Sequence, residues 1–225
     1  MIKVSVVLPC LNEEESIGQS IQKIQNVFEK NEIDGEVIVV DNGSTDNSAK
    51  IAKQFKIKYI FELKKGYGNA YLSGFKHVKG DYLILGDPDN SYDFNEIPRF
   101  LVHLQNNDVV LGSRFKGEIK RGAMPFLHQY IGNPGINLLL RVLFNIKVSE
   151  SSTGFIGFRK EILKKLQLKE QGMEFSSEML VRIKRNKLRI KEIPIVYHKR
   201  IGKSKLRTFR DGFRHLRFLV IERLR

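Results

Sequence analysis

Two carboxylates stand one residue apart in Asp87-Pro88-Asp89, directly after the apolar run Leu83-Ile84-Leu85 and Gly86. A buried strand that ends in two acids holds like charges together at a cost, unless a cation sits between them. Hard divalent ions such as Mg²⁺ or Mn²⁺ take carboxylate oxygens and keep further positions for phosphate oxygens. Asp87 and Asp89 are therefore the first candidates for a metal, and the chemistry such an ion supplies is neutralisation of a departing diphosphate. An acidic turn bent by Pro88 is the plain alternative. A glycoside hydrolase fits poorly, because its two carboxyl groups flank the scissile bond at separations of about 5–10 Å.

Other segments join a strand end to groups that bind. Pro9-Cys10-Leu11-Asn12-Glu13-Glu14 follows the first apolar run. It suits the ligand crevice at the carboxyl ends of parallel strands, and equally a helix start, where Asn and Glu are favoured. Asp41-Asn42-Gly43-Ser44-Thr45-Asp46 repeats the arrangement at the second run. There Asp41 could accept from a base N–H or a ribose hydroxyl, while Ser44 and Asp46 suit helix capping. Lys65-Gly66-Tyr67-Gly68-Asn69-Ala70 is a basic glycine turn before a helix. Its amides suit phosphate oxygens, although it is neither the dinucleotide fingerprint nor the P-loop. Arg114, in Gly112-Ser113-Arg114, could grip a phosphate through two parallel hydrogen bonds. Arg200-Ile201-Gly202-Lys203-Ser204-Lys205 is a short basic loop, or simply a solvated charge run. His128, His198 and His215 have no metal spacing and read as structural or surface residues.

Positioning these groups takes a sheet. Strands are predicted at 3–8, 36–40, 58–61, 82–85 and 108–111, alternating with helices at 12–30, 49–55, 66–78 and 95–104. Continuous Val/Ile runs suit parallel strands covered on both faces, so the fold class is α/β with a doubly wound sheet. Beyond Gly112 the pattern predicts a loop over 114–125 and a helix over 130–144 with an apolar face of Leu138, Leu139, Val142 and Leu143. A strand at 154–158, helices at 160–166 and 174–184, and a strand at 188–196 that ends at a bend near Pro194 follow. No repeat or linker is visible, so the expectation is one domain, 1–207, with a basic amphipathic helix over 208–225.

The 225 residues carry a net charge of +14, unevenly placed. Residues 1–113 hold 12 Lys and Arg against 16 Asp and Glu, a balance of −4; residues 114–225 hold 27 against 9, a balance of +18. The second half should meet an anion: a phosphorylated acceptor, an anionic lipid surface or a nucleic acid. The single cysteine, Cys10, excludes an intrachain disulfide and an all-cysteine zinc site, and fits a reducing compartment. Cys10 reads as a small packed residue. No apolar run approaches the roughly 18 residues of a membrane span, and the first residues read as a strand rather than a signal peptide.

In this order the motifs resemble the family-2 glycosyltransferases of GT-A fold. Asp87-Pro88-Asp89-Asn90-Ser91-Tyr92-Asp93-Phe94, Gly117-Glu118-Ile119 through Gly122-Ala123-Met124-Pro125, Tyr130-Ile131-Gly132-Asn133-Pro134 and Gly172-Met173-Glu174-Phe175 are similar to the polyprenyl-phosphate branch, which includes the dolichol-phosphate mannosyltransferases. The resemblance covers nearly the whole chain. It implies a Mg²⁺- or Mn²⁺-dependent, inverting transfer of a hexose from a UDP- or GDP-linked donor to a polyprenyl phosphate. The enzyme would be cytoplasmic and peripheral, at the cytoplasmic face of an anionic membrane. Pro9, Leu11, Asn12, Glu13, Asp41 and Asn42 would hold the nucleoside. Lys65 to Asn69, Lys65, Gly68 and Asn69 foremost, would lie near the sugar or diphosphate, and Asp87 and Asp89 would handle the metal. Arg114, Arg200, Lys203, Ser204 and Lys205 would address the donor and acceptor phosphates.

The chain departs from that branch at three points. Glu150 stands where many relatives have Asp, Ile156 where they have Arg, and Ser91 where the mannosyltransferases often have Gln. Glu174 and Glu178 could orient a sugar hydroxyl or could be helix-surface acids. Many members continue beyond a basic helix into transmembrane helices. Here Phe209, Phe213, Leu216, Val220 and Leu224 share one face of that helix, which suits an anionic lipid surface or packing on its own domain. Two competing readings are a glycosyltransferase with a soluble glycan or protein hydroxyl acceptor, which needs a general base, and a non-enzymatic basic module. The acidic first half argues against nucleic acid as a partner.

Overall fold

The structure, a computed structural model, describes residues 3–224. The first half alternates β1 (Lys3–Cys10), α1 (Ile17–Lys30), β2 (Asp34–Asp41), α2 (Ser48–Ala52), β3 (Lys58–Phe61), α3 (Tyr67–Phe75), β4 (Tyr82–Leu85) and α4 (Ile97–Leu104). The second half runs β5 (Val109–Ile119), α5 (Asn133–Phe144), β6 (Ile156–Arg159), α6 (Leu163–Leu166), α7 (Phe175–Arg185), β7 (Ile190–Tyr197) and α8 (Thr208–Leu224). One seven-stranded sheet has the order β3-β2-β1-β4-β6-β5-β7. It is mostly parallel; β6 is inserted antiparallel between β4 and β5.

The apolar strand runs are explained by cover on both faces. Val4, Val6 and Leu8 of β1 pack into one core with α1 and α4, and Val7 points into the other core with α3. Each such side chain contributes on the order of 1.5–3 kcal/mol on burial. Ile17, Ile21, Ile24, Val27 and Phe28 recur at helical spacing and supply the buried face of α1.

Register places the site. Cys10 pairs with Asp41, Asp41 pairs with Phe61, and Val7 pairs with Leu85. The carboxyl ends of β1, β2 and β4 therefore open on one edge of the sheet, and the polar segments that follow them are neighbours.

Several expectations are corrected. Residues 114–119 continue β5 rather than forming a loop, because β7 pairs with them: Ser113 with Pro194 and, past an irregularity, Glu118 with Val196 and Ile119 with Tyr197. Pro194 lies within β7 rather than ending it, which an edge strand tolerates because no neighbour needs its missing N–H. The first helix begins at Ile17, not Asn12, since Asn12 has a left-handed φ of 53°. The predicted helix 130–144 begins at Asn133, after a wide π turn at His128–Gly132. Its supposed packing face is partly reversed: Leu140 is buried, and Leu138 and Val142 are exposed.

Candidate active site

At the end of β2 the turn is held by its own acids and amides. Asp41 is buried; its Oδ1 accepts from the amides of Gly43 (3.2 Å) and Ser44 (2.8 Å), and its Oδ2 accepts from Tyr59 Oη (2.7 Å). Burial and the Asp41 carboxylate push the Tyr59 phenol well up. Asp46 accepts from the amide of Ser48 (2.9 Å) and of Glu14 (3.1 Å), a capping role. Asn42 reaches the other way: its Nδ2 donates to the carbonyls of Glu62 and Lys64, and its Oδ1 accepts from the amide of Gly66 (2.6 Å). At the end of β1, Asn12 Oδ1 accepts from Thr45 N (2.7 Å) while Asn12 N donates to Ser44 Oγ (3.0 Å). Pro9 still belongs to β1, and Leu11 is half-buried behind Asn12. Cys10 is buried, and burial with the nearby Asp41 charge pushes its thiol up to about 12, so it is a packed, unreactive residue.

The glycine turn has a different physical cause from the one its sequence suggests. A Cβ on Gly66 would collide with the carbonyl oxygen of Gln171, and one on Gly68 with that of Glu170. The amide of Asn69 donates to Gln171 O at 3.1 Å. These residues make room for the 170–171 backbone, and the amides of Gly66 and Asn69 are already engaged. Lys65 remains exposed at the entrance.

Asp87 and Asp89 follow β4 as expected. Asp89 is buried; its Oδ1 accepts from the amide and hydroxyl of Ser91, and its Oδ2 lies 3.0 Å from Arg200 Nη2. Asp87 Oδ1 accepts from Tyr67 Oη at 3.2 Å. Burial and the neighbouring Asp89 charge push the Asp87 carboxyl up to about 7, with Arg200 and Tyr67 pulling the other way. Tyr67 of the glycine turn and Ser91 shape this tip, joined by Tyr92 and Tyr197, for which the sequence suggested no role. Tyr92 Oη accepts from Gly154 N at 2.7 Å, and the Tyr92 and Tyr197 rings meet at a tilt of 56° with centroids 5.3 Å apart. Tyr92 follows the acids closely in sequence, whereas Tyr197 lies far along the chain and carries no sequence signal.

The basic loop closes over both strand ends. Arg200 Nη2 is 3.6 Å from Glu13 Oε1 as well as 3.0 Å from Asp89. Lys205 Nζ donates to Glu13 Oε1 (2.6 Å) and to Asn12 O (2.8 Å), 192 and 193 residues away in sequence. Burial raises the Glu13 carboxyl above its ordinary range, and Lys205 pulls it back. Lys203 and Ser204 are exposed on the same loop, with Ser204 Oγ accepting from Leu206 N.

Arg114 is buried, and it is bound to Glu150. Glu150 Oε1 takes Nε and Nη2 of the guanidinium, and Oε2 accepts the Arg114 amide at 2.6 Å. Arg114 Nη2 also donates to Ser152 O (2.9 Å), and the guanidinium lies 4.7 Å from the Tyr197 ring centroid. The departure at Glu150 is thus a structural partner of the arginine. Ile156 is buried in β6. Glu174 and Glu178 are buried too, not helix-surface acids. Glu178 accepts the amides of Lys169 (2.9 Å) and Glu170 (2.8 Å), and Glu174 pairs with Arg214 at 2.6 Å. His128 bonds Thr208 Oγ1 (2.8 Å), His215 is buried against Ser177 Oγ (2.7 Å), and His198 is exposed.

Two carboxylates of hard oxygen, one with a raised proton affinity and the other already drawing a guanidinium, fit a divalent cation. Among the described residues no third acid, histidine or cysteine joins them as a ligand group, so the remaining positions suit phosphate oxygens and water.

The family model of glycosyl transferase family 2 matches residues 5–167. A low-salt glycan biosynthesis hexosyltransferase of Haloferax volcanii is 42% identical over 220 residues, covering 97% of this chain and 53% of that protein. A dolichol-phosphate mannosyltransferase of Pyrococcus furiosus is 28% identical over 225 residues, covering 96% of this chain and 63% of that protein. The chain thus spans between about half and two-thirds of these relatives. Among solved structures, glucosyl-3-phosphoglycerate synthase of Mycobacterium tuberculosis, in complex with Mn²⁺, UDP and glucosyl-3-phosphoglycerate, superposes with a TM-score of 0.75 at 20% identity, over 99% of this chain and 80% of that one. The shared architecture is that of the GT-A glycosyltransferases.

Proposed function

We propose a donor, an acceptor and a metal for this chain, which belongs to glycosyl transferase family 2 and is a glycosyltransferase. The reaction is transfer of a hexose from a UDP- or GDP-linked donor to a polyprenyl phosphate, with inversion at the anomeric carbon. The observation that carries this reading is the convergence of Asp87 and Asp89, Glu13 and the cations Arg200 and Lys205 at one edge of the sheet. The names of the two archaeal relatives and the Mn²⁺ and UDP of the structural neighbour support it.

Asn12, Glu13, Asp41 and Asn42 form the rigid floor at the ends of β1 and β2 where the nucleoside would rest. Arg200 and Lys205, now paired with Asp89 and Glu13, would exchange those partners for donor and acceptor phosphates. A divalent cation held by Asp87 and Asp89 supplies charge neutralisation for the leaving diphosphate. An acceptor phosphate has a second pKa of about 6 and is largely a dianion near neutral pH. It can attack without a protein base. That suits a mouth whose carboxylates Glu13, Asp87 and Asp89 each already carry a donor, whereas a hydroxyl acceptor would need a free base. Positioning and fixed cations then supply the catalysis.

The test offers labelled UDP- and GDP-hexoses with Mn²⁺ to a short water-soluble prenyl phosphate and to a panel of sugars. Glycosyl prenyl phosphate should form, EDTA should stop it, and Asp89→Ala should abolish it in a protein that still melts cooperatively. Glycosylation of sugar hydroxyls alone would remove the lipid acceptor, and full activity of Asp89→Ala would remove the metal role.

A further inference from the structure

The turn from Lys65 to Asn69 is backed by a stretch of chain about a hundred residues further on. Gly66 and Gly68 stand so close to the carbonyl oxygens of Gln171 and Glu170 that neither leaves room for a Cβ, and Asn69 N donates to Gln171 O at 3.1 Å. From the other side Asn42 Oδ1 accepts the Gly66 amide at 2.6 Å. The turn is therefore held between the end of β2 and the backbone of 169–172, and its position follows theirs.

That backbone does not hold itself. Residues 167–171 belong to no helix or strand. Side chains from two helices fix them. From α7, Glu178 is 1% exposed and accepts the amides of Lys169 (2.9 Å) and Glu170 (2.8 Å). From α8, Arg214 lays its guanidinium on Gly172, filling the space that a Cβ there would need. Its Nη2 donates to Glu174 Oε1 at 2.6 Å, just ahead of α7. A planar guanidinium can cover a backbone and bond a carboxylate at once; a lysine ammonium on its flexible stem cannot.

Arg214 is also the member whose loss the segment tolerates least. Glu170, Glu174 and Glu178 crowd together there. Burial and the Glu174 and Glu178 charges push the Glu170 carboxyl up, and Arg214 pulls it down. Glu178 has Arg182 at 3.8 Å besides its two amides. Glu174 is buried, and among the described residues Arg214 is its one ion-pair partner. Without the guanidinium, Glu174 becomes a buried, unpaired charge beside Glu170. Repulsion between them then loosens 170–174, the stretch on which the glycine turn leans.

We propose that Arg214 is a positioning residue for the donor: by covering Gly172 and holding Glu174 it presses 169–172 against the turn and so sets Lys65, Gly68 and Asn69 for the sugar diphosphate. This rests on the reading that the turn faces the donor, and it gives α8 a part in donor binding.

The test combines amide hydrogen exchange with calorimetric titration of UDP and of GDP, each with Mn²⁺, on the full chain. Arg214→Gln should speed exchange of the Asn69 amide about tenfold or more. It should weaken nucleoside diphosphate binding about tenfold, and raise the donor KM by a like factor with kcat near wild type. Gly172→Ala, which displaces the guanidinium from the opposite side, should reproduce both effects. Arg214→Lys, which keeps the charge and loses the plane, should hold the wild-type Tm and recover only part of the affinity. Arg214→Gln with Glu174→Gln leaves no unpaired charge, so it should restore the Tm without restoring the affinity, and it carries the test if the single variant does not fold. Wild-type Asn69 exchange in a folded Arg214→Gln variant would overturn the proposal. Affinity that returns together with the Tm in the double variant would reduce Arg214 to a stabilising residue and overturn it equally. Faster Asn69 exchange with unchanged nucleotide affinity and KM would instead sink the donor reading of the turn, and leave the hold of Arg214 on 169–172 standing.

Discussion

Neutralising Glu150 should destabilise the protein far more than its single charge suggests. The carboxylate has no solvent exposure, and Arg114 is 7% exposed. Burial opposes the guanidinium charge, but Tyr92, Glu150 and Tyr197 hold its pKa above the ordinary value, so it stays ionised. In Glu150→Gln the side-chain volume is kept, one oxygen can still accept, and the new NH₂ faces donors of Arg114. Removing one partner of a buried pair costs about 3–5 kcal/mol. Arg114 keeps its bond to Ser152 O and its contact with Tyr197, the latter worth about 0.5–2 kcal/mol. The expected loss is therefore near the lower end, about 3 kcal/mol, out of a total stability of roughly 5–15 kcal/mol. Urea unfolding at pH 7 reads it as a fall in midpoint at constant slope. Arg114→Met combined with Glu150→Met should recover most of the loss, because no unpaired charge remains buried. A cost below about 1 kcal/mol for Glu150→Gln, or a double variant as unstable as the single, would refute the reasoning.

Burial pushes His215 down to about 4, so the unfolded chain binds the extra proton first. The stability this neutral histidine contributes is complete above pH 6.5 and is lost as pH falls toward 4, by up to about 3 kcal/mol. His215→Gln should flatten that slope in urea unfolding at pH 7 and pH 4.5. Gly68→Ala would normally favour a helix by about 1 kcal/mol. Here the added Cβ meets Glu170 O, and thermal melting should show a loss of about 1–3 kcal/mol instead. Asp87 has the opposite linkage to His215: its folded pKa is raised to about 7, so without metal the fold loses stability as pH climbs from about 4 through 7. Mn²⁺ should then raise the Tm more at pH 8 than at pH 5.5, and Asp87→Asn should raise the metal-free Tm at pH 8 while abolishing the Mn²⁺ response.

The acidic tip, the first four strands and the order of binding segments were legible because each is local. Apolar runs mark strands, and strand ends mark the sheet edge where side chains converge. The antiparallel insertion of β6 and the long β5 were not legible, since Lys116 and Glu118 break the apolar pattern and only pairing with β7 extends the strand. Gly66 and Gly68 looked like a phosphate turn because glycine is silent about which neighbour needs the space.

The amino-acid order alone determined that Asp87 and Asp89 would end a buried strand, that the basic charge would gather in the second half, and that 208–224 would form a two-faced helix. Tertiary structure alone decided that Arg114 would meet Glu150, that Lys205 would reach Glu13, and that α5 and α8 would turn apolar side chains outward. Periodicity reveals that a helix has two faces but not which one finds cover. That choice depends on partners far along the chain, and α8 spends its inward face on Ser177, Arg182 and Arg185 of α7.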